Sequence, residues 1–412
     1  MRNIVFFCII SLFFISNYAL AQSLTVCSSC KYSSIQEAIN VSAPHDTIYV
    51  KQGVYKEYDI KVEKPLALIG LENPVIDGDS KGQILGIYSD SVVISGFVIK
   101  NVGVSHTKDN AAILLSKVRN FTINGNTLEN VFFGILVEKS HDGLIAGNTV
   151  SGESKNEFRS GNGVHLWHCS NVKINNNHLF SLRDGIYLEF VSESVIEHNR
   201  SHNNIRYGLH FMFSNNNDYY DNEFYRNGAG VAVMFSKFIN MRNNKFYKNW
   251  GTASYGLLLK EIYDAEIENN LFEENTVAIT TDGSSRINYS HNNFIRNGWA
   301  VKVTGGCYTN IFTFNNFMSN SFDVSYNSKL NDNKFENNYW SEYTGYDLNK
   351  DGIGDVPFRP VNLFSYVVNK TPEAIVLMRS LFVDIINFSE KVSPIFTPDN
   401  LMDNKPQMKI IP

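Results

Sequence analysis

The chain has 412 residues, a formal net charge of −5, 43% hydrophobic residues and 19% charged ones. Its Lys and Arg residues are dispersed rather than clustered, which excludes the footprint of a nucleic-acid binder. Beyond residue 21 no apolar run approaches the ~18 residues that would suggest a bilayer span.

From the N-terminus, Arg2, the apolar residues 4–15 and Ala19-Leu20-Ala21 before Gln22 read as a secretory signal over 1–21, so a soluble exported protein is expected. Cys8 lies within that segment, and no cysteine sits at the cleavage point to carry a lipid. Residues 22–45 read as an N-terminal cap. Within it, Cys27 and Cys30 form a Cys-x-x-Cys pair, read as a small disulfide of an oxidising compartment or as a redox or metal pair. Ser34 and Glu37 have the spacing of a capping box, and Ile35, Ala38 and Ile39 give a short helix one apolar stripe. Strands are expected at 46–50, 53–55 and 65–70.

The longest segment, 46–345, is a repeat. Asn-x-Phe-x-x-Asn starts at Asn222, Asn244, Asn270, Asn292, Asn315 and Asn333, and copies without the Phe start at Asn126, Asn148, Asn177 and Asn199. A small residue opens an apolar alternation in phase with this series, at Gly134, Gly163, Gly185, Gly208, Gly230, Gly256, Ala278 and Ala300. Both markers absorb the same insertions, near 151–161 and 248–255. Runs of four to six Val, Ile, Phe and Tyr residues punctuated by Asn and Gly predict strands. A period near 22 then predicts a right-handed parallel β-helix: about a dozen coils at ~4.8 Å, a rod of roughly 55 Å. The Phe series from Phe224 to Phe335 is expected inside the rod, with the Asn residues at turns, bonding to the coil above or below.

Residues 346–412 form a C-terminal extension. Asp347, Asn349, Asp351 and Asp355 with Gly352 have the spacing of the front of a calcium loop, but Phe358 stands where the last carboxylate is needed. Calcium binding and a purely structural Asx-turn loop both fit. An amphipathic helix is expected over 372–388.

The two ends carry a family resemblance. Ser34-Ile-Gln-Glu-Ala-Ile39, Asp46-Thr-Ile-Tyr-Val50, Gly53-Val-Tyr55, Lys64-Pro-Leu66 and Val75-Ile-Asp-Gly78 resemble the opening of the NosD family. So do Asn338-Tyr-Trp-Ser341, the segment Gly345–Asp355, Arg359-Pro-Val361, Arg379-Ser380 and Asp403-Asn-Lys-Pro406. The resemblance implies a periplasmic accessory protein that helps assemble the copper–sulfur centre of nitrous oxide reductase. It implies as partners the reductase, an ABC-type permease and ATPase, and a copper-chaperone lipoprotein. The repeats themselves imply only the fold.

Alternation along each strand separates inside from outside. Residues one and three after the small marker, such as Val164 and Leu166 or Leu209 and Phe211, form an inward apolar column. Residues two and four after it face outward, and place His165, Glu189, His210, Met212 and Met234 on one exterior sheet, the candidate copper site. Imidazole and thioether donors suit copper, thioether in particular Cu(I). His168 and Cys169 are marginal candidates.

A non-catalytic maturation factor is thus the expected function. The alternative is a β-helical polysaccharide lyase, epimerase or hydrolase, which needs neighbouring acid and base groups on the outer face. Glu189 and Asp282 lie four coils apart, roughly 19 Å, beyond the ~5–9.5 Å of glycosidase pairs. Asp184, placed in a turn, keeps that alternative open.

Overall fold

The structure, a computed structural model, describes residues 22–105, 107–153, 156–326, 332–361, 363–378, 380–392 and 401–412. The expected signal segment and Arg379 lie outside these. The chain winds into a right-handed parallel β-helix of about 13 turns. Three parallel sheets of 14, 12 and 13 strands run the length of the rod, and each coil between the two end turns gives one strand to each as it passes. Valine, isoleucine, leucine and phenylalanine fill the interior in columns, because the inward position recurs once per coil.

The first strand, Ser23–Val26, pairs with Thr47–Val50, so the ladder starts inside the segment read as the cap. Helix α1, Ile35–Val41, follows and buries Ile35, Ala38 and Ile39. Ser34 Oγ accepts from the amide of Glu37, while the amides of Ile35 and Gln36 donate to the carboxylate of Glu57. A residue 20 positions further on therefore takes the acidic role expected of Glu37. Cys27 and Cys30 are joined as a disulfide.

Asparagine amides bind coil to coil. From Asn126 through Asn148, Asn177, Asn199, Asn222, Asn244, Asn270, Asn292 and Asn315 to Asn338, each residue's backbone N–H and Nδ2 donate to the side-chain oxygen of the next. A second ladder runs from Asn204 through Asn227, Asn249, Asn275 and Asn297 to Asn320. These are the two Asn residues of the repeated phrase. All but Asn320 are nearly or completely buried, and their polar groups are satisfied by one another and by carbonyls. The glycine marker has its own cause: a Cβ on Gly230 would lie 2.3 Å from the carbonyl oxygen of Gly256 on the next coil.

The Phe column needs one correction. Phe224, Phe246, Phe272, Phe294 and Phe317 stack in sequence at 4.7–5.6 Å, but the column ends on Trp340, 4.0 Å from Phe317. Phe335 instead continues a separate column through Tyr289 and Phe312. Asn333 is correspondingly bonded to Asn310 and not to Asn315, so it is out of phase with the markers before it. The true continuation is Asn338-Tyr339-Trp340.

The C-terminal extension forms two helices, α2 (Leu363–Lys370) and α3 (Leu381–Val392), joined by a 3-10 turn at Pro372–Leu377. The single helix expected over 372–388 is thus broken. Met378 is extended, and Ser380 accepts from the amides of Val383 and Asp384 to start α3. Phe364, Val368 and Val383 pack against Val277, Trp299 and Phe322 on the 12-stranded sheet. Among the described residues no helix is long and apolar enough to cross a membrane.

Candidate functional site

Four neighbouring strands of the 12-stranded sheet carry the predicted residues: Val164–Trp167, Asp184–Glu189, Tyr207–Met212 and Ala229–Met234. Their register places His165, Tyr187, His210 and Ala232 in one outward column, and Trp167, Glu189, Met212 and Met234 in the next. Glu189, Met212 and Met234 are half-buried at the surface, and the two methionines are direct neighbours.

The histidines face away from the core as the alternation requires, yet they are not open to water. His210 is only 5% exposed, and both ring nitrogens of His165 and of His210 are shielded and unpartnered. The cover comes from the residue before each small marker, which also points outward. Phe133 lies 5.8 Å from the His165 ring and Tyr207 4.8 Å from that of His210, while Tyr187 sits between the two at 4.7 and 4.9 Å. Tyr187 also donates its hydroxyl to Met212 Sδ at 3.9 Å.

Beneath this roof lies a charged group that the sequence reading misplaced. Asp184 opens a strand instead of occupying a turn, and is 1% exposed. Its carboxylate accepts from the amide of Tyr207 and lies 3.4 Å from Arg206 Nε and 4.0 Å from His210 Nδ1. Burial pushes its pKa up to about 6 against the pull of Arg206 and Arg183. Burial also pushes His165 down to about 3 and His210 to about 4, so both rings are neutral at pH 7. Arg206, Tyr207 and Tyr255 escaped the sequence reading, although Phe133, Asp184, Tyr207 and Tyr255 all precede a small marker and form a column of their own.

Neutral imidazole and paired thioethers are soft, uncharged donors that fit a cuprous ion. Unpartnered ring nitrogens at His210, two residues from Met212, support that fit. Among the described residues no group of three or more His, Cys, Asp and Glu could hold a metal, so ligation here requires the thioethers.

The marginal candidates separate. Cys169 is buried, with its pKa raised to about 11 by desolvation, and makes a poor ligand. His168 is exposed and stacks on Phe190, which continues onto Phe213 and Phe235. The calcium reading of the 347–355 loop finds no support. Asp347 accepts from the amides of Asp351 and Gly352, Asn349 from Asp351, Asp351 from Ile353 and Asp355 from Leu348. These side-chain bonds to the loop's own backbone are the pattern of nested Asx turns, the structural alternative read from the sequence.

Protonation of the covered histidines has a measurable consequence. An unfolded histidine titrates near ~6.5, so below that pH the unfolded chain binds protons that folded His165 and His210 refuse. Stability is then full above pH ~6.5 and drains as the pH falls toward 4. Asp184 has the opposite sign, gaining stability as the pH falls through about 6, and offsets part of the loss. His165→Phe fills the same aromatic slot without a titrating group. Its melting temperature is expected to fall less than that of the wild type between pH 7.5 and 4.5; parallel curves would refute the assignment.

The coil geometry defines a parallel β-helix bearing an outward face of His and Met residues. Residues 150–345 match the model of the family described as "Periplasmic copper-binding protein (NosD)". The chain is also 27% identical over 371 residues to the "Probable ABC transporter binding protein NosD" of Stutzerimonas stutzeri, covering 85% of this chain and 84% of that one. A protein of the same description from Pseudomonas aeruginosa is 26% identical over 368 residues, covering 85% of each. These matches bear out the NosD resemblance: residues 150–345 match that family's model, and the similarity to the two relatives continues through most of the chain. Among solved structures, the A-module of the Azotobacter vinelandii mannuronan C-5 epimerase AlgE6 aligns at a TM-score of 0.63 and 12% identity, over 73% of this chain and 94% of its own. The catalytic unit of a GH87 α-1,3-glucanase from Streptomyces thermodiastaticus aligns at 0.59 and 12%, over 74% and 65%. At that identity the likeness is one of fold.

Proposed function

We propose that this chain is a periplasmic copper-binding accessory protein for the maturation of nitrous oxide reductase. In this reading it takes copper from a copper-chaperone lipoprotein and works beside an ABC-type permease and ATPase to supply the copper–sulfur centre. The observation that carries the reading is similarity across 85% of the chain to two proteins named as ABC transporter binding proteins of the NosD type. The donor chemistry of the outward face supports it: Met212 and Met234 are the accessible ligands, and His210 is a neutral imidazole behind them.

A binding protein is favoured over a carbohydrate-active enzyme. Asp184 and His210 would be the natural acid and base, but both are closed off from any substrate by the aromatic roof. Glu189 stands five residues along the same strand from Asp184, too far for a glycosidase pair.

The test is the double variant Met212→Leu/Met234→Leu. Leucine conserves volume at a cost of under ~1.5 kcal/mol per site, so the fold is retained while both thioethers are lost. Cu(I) affinity of the isolated protein is expected to drop at least tenfold, and cells carrying the variant to accumulate reductase without its copper–sulfur centre. Full maturation by the variant would reduce this face to ordinary surface. Lost maturation with unchanged copper affinity would make it a docking face for a partner.

A further inference from the structure

A second pair of histidines lies on a different sheet. In the 13-stranded sheet, His178–Phe180 pairs with Arg200–His202, which places Phe180 beside His202 and His178 beside Arg200. Leu179 and Ser201 are buried between them, so both histidines point outward. His202 is clamped in an aromatic stack, with Phe180 at 5.4 Å on one face and Tyr225 at 4.6 Å on the other. Its ring edge is left to point diagonally across the strands, where its Nε2 meets Nε2 of His178 at 2.8 Å.

Two imidazole nitrogens at that distance share one proton. One ring donates, the other accepts, and both are neutral; burial pushes His202 down to about 4 and lowers His178 as well. Nδ1 of His202 has no partner at all. His178 lines a polar cleft of about 450 Å³ together with His198, Arg200, Asp221 and Glu223. Arg200 lies 3.5 Å from Glu223, and His198 lies 4.0 Å from Asp221. His178, bonded through its Nε2 to His202, is the imidazole that the cleft offers to a ligand.

We propose that His178 and His202 form a two-coordinate site for a monovalent d10 cation, with Cu(I) as the natural ion. The site stands on its own geometry; only the naming of copper rests on the proposed function. Metal–imidazole bonds of about 2 Å set the two nitrogens about 4 Å apart in a linear arrangement. The pair therefore has to open by about 1 Å, which His178 achieves by turning about its soft χ2 torsion while the stack holds His202. The shared proton moves, through solvent, from Nε2 to Nδ1 of the same ring. No proton is released overall, and the site gains a single positive charge. Zn²⁺ demands about four ligands, and among the described residues no third His, Cys, Asp or Glu completes such a set. Two neutral nitrogens in a straight line are what Cu(I) or Ag(I) accepts.

The experiment titrates the full chain with Cu(I) against a chromophoric chelator, and repeats it with Ag(I). X-ray absorption then reads the neighbours of the bound metal. His178→Gln with His202→Phe removes both ligands while phenylalanine preserves the stack. That variant is expected to bind one ion fewer than the wild type, and Met212→Leu/Met234→Leu to keep an ion with nitrogen neighbours and no sulfur. Should the double histidine variant fold poorly by circular dichroism, His178→Gln alone serves, since it leaves the stack intact and one remaining imidazole does not hold the ion. An unchanged ion count in the histidine variant overturns the site. Failure of the proposed function would register instead in the methionine variant, as unimpaired maturation.

Discussion

Phe246→Ala is expected to destabilise the protein by about 3–5 kcal/mol, the cost of truncating a fully buried aromatic. Phe246 is 1% exposed and stacks on Phe224 at 5.6 Å and on Phe272 at 4.7 Å. Alanine removes both stacks and opens a void that the stiff coils above and below cannot close. Because a solenoid is held by nearest-neighbour contacts, the loss is felt first as a weak joint between two halves. Denaturant titration should show a lower midpoint, and hydrogen exchange should show earlier opening of the strands Glu223–Tyr225 and Leu271–Glu273. An unchanged midpoint would mean that the column is not the core.

Asp403→Ala should cost a similar amount, for a polar reason. Asp403 is fully buried, and its carboxylate accepts from the amides of Asn337 and Asn338, from Asn338 Nδ2 and from Trp340 Nε1. Each buried donor left without a partner costs about 1–3 kcal/mol. Water entering at the rod's end relieves part of this, and ~3–5 kcal/mol is the expected sum. Asp403→Asn keeps an accepting oxygen for Asn338 and Trp340 but turns a donor on the amides of Asn337 and Lys405, so it should recover only part of the stability. Equal loss in Asn and Ala variants would show that the charge, and not the acceptor, is what matters.

The architecture was legible because it is written once per coil. Asn222, Asn244 and Asn270 recur at the spacing of the coils they stitch together, and Gly230 recurs where two backbones touch. Reading failed where a phrase recurred out of phase: Asn333-x-Phe335 matches the pattern by letters but belongs to another corner of the coil. The 18-residue step was the available warning. At the candidate site, alternation told which way His165 and His210 point but not what lies above them. Their cover comes from Phe133 and Tyr207, one residue before the small marker, a position outside the alternation that was read from the marker onward. At the acidic loop, spacing places Asp347, Asn349 and Asp351 close together and leaves calcium and an Asx-turn loop both open, while the structure shows backbone amides bonded to those side-chain oxygens.

Asp403 also bears on how such a protein can change its length. Each Asn passes hydrogen bonds forward in one direction, so the last member needs a terminus that accepts and does not donate, and a carboxylate borrowed from 65 residues downstream of Asn338 is such a terminus. Whole coils can be gained or lost upstream without disturbing this closure, since Asn meets Asn at every joint. The final dozen residues have no such freedom. A chain clipped before residue 401 would present a bare set of aligned donors at the end of the rod, an invitation to a second molecule's acceptors, so the tail works as a chain terminator in the polymer chemist's sense.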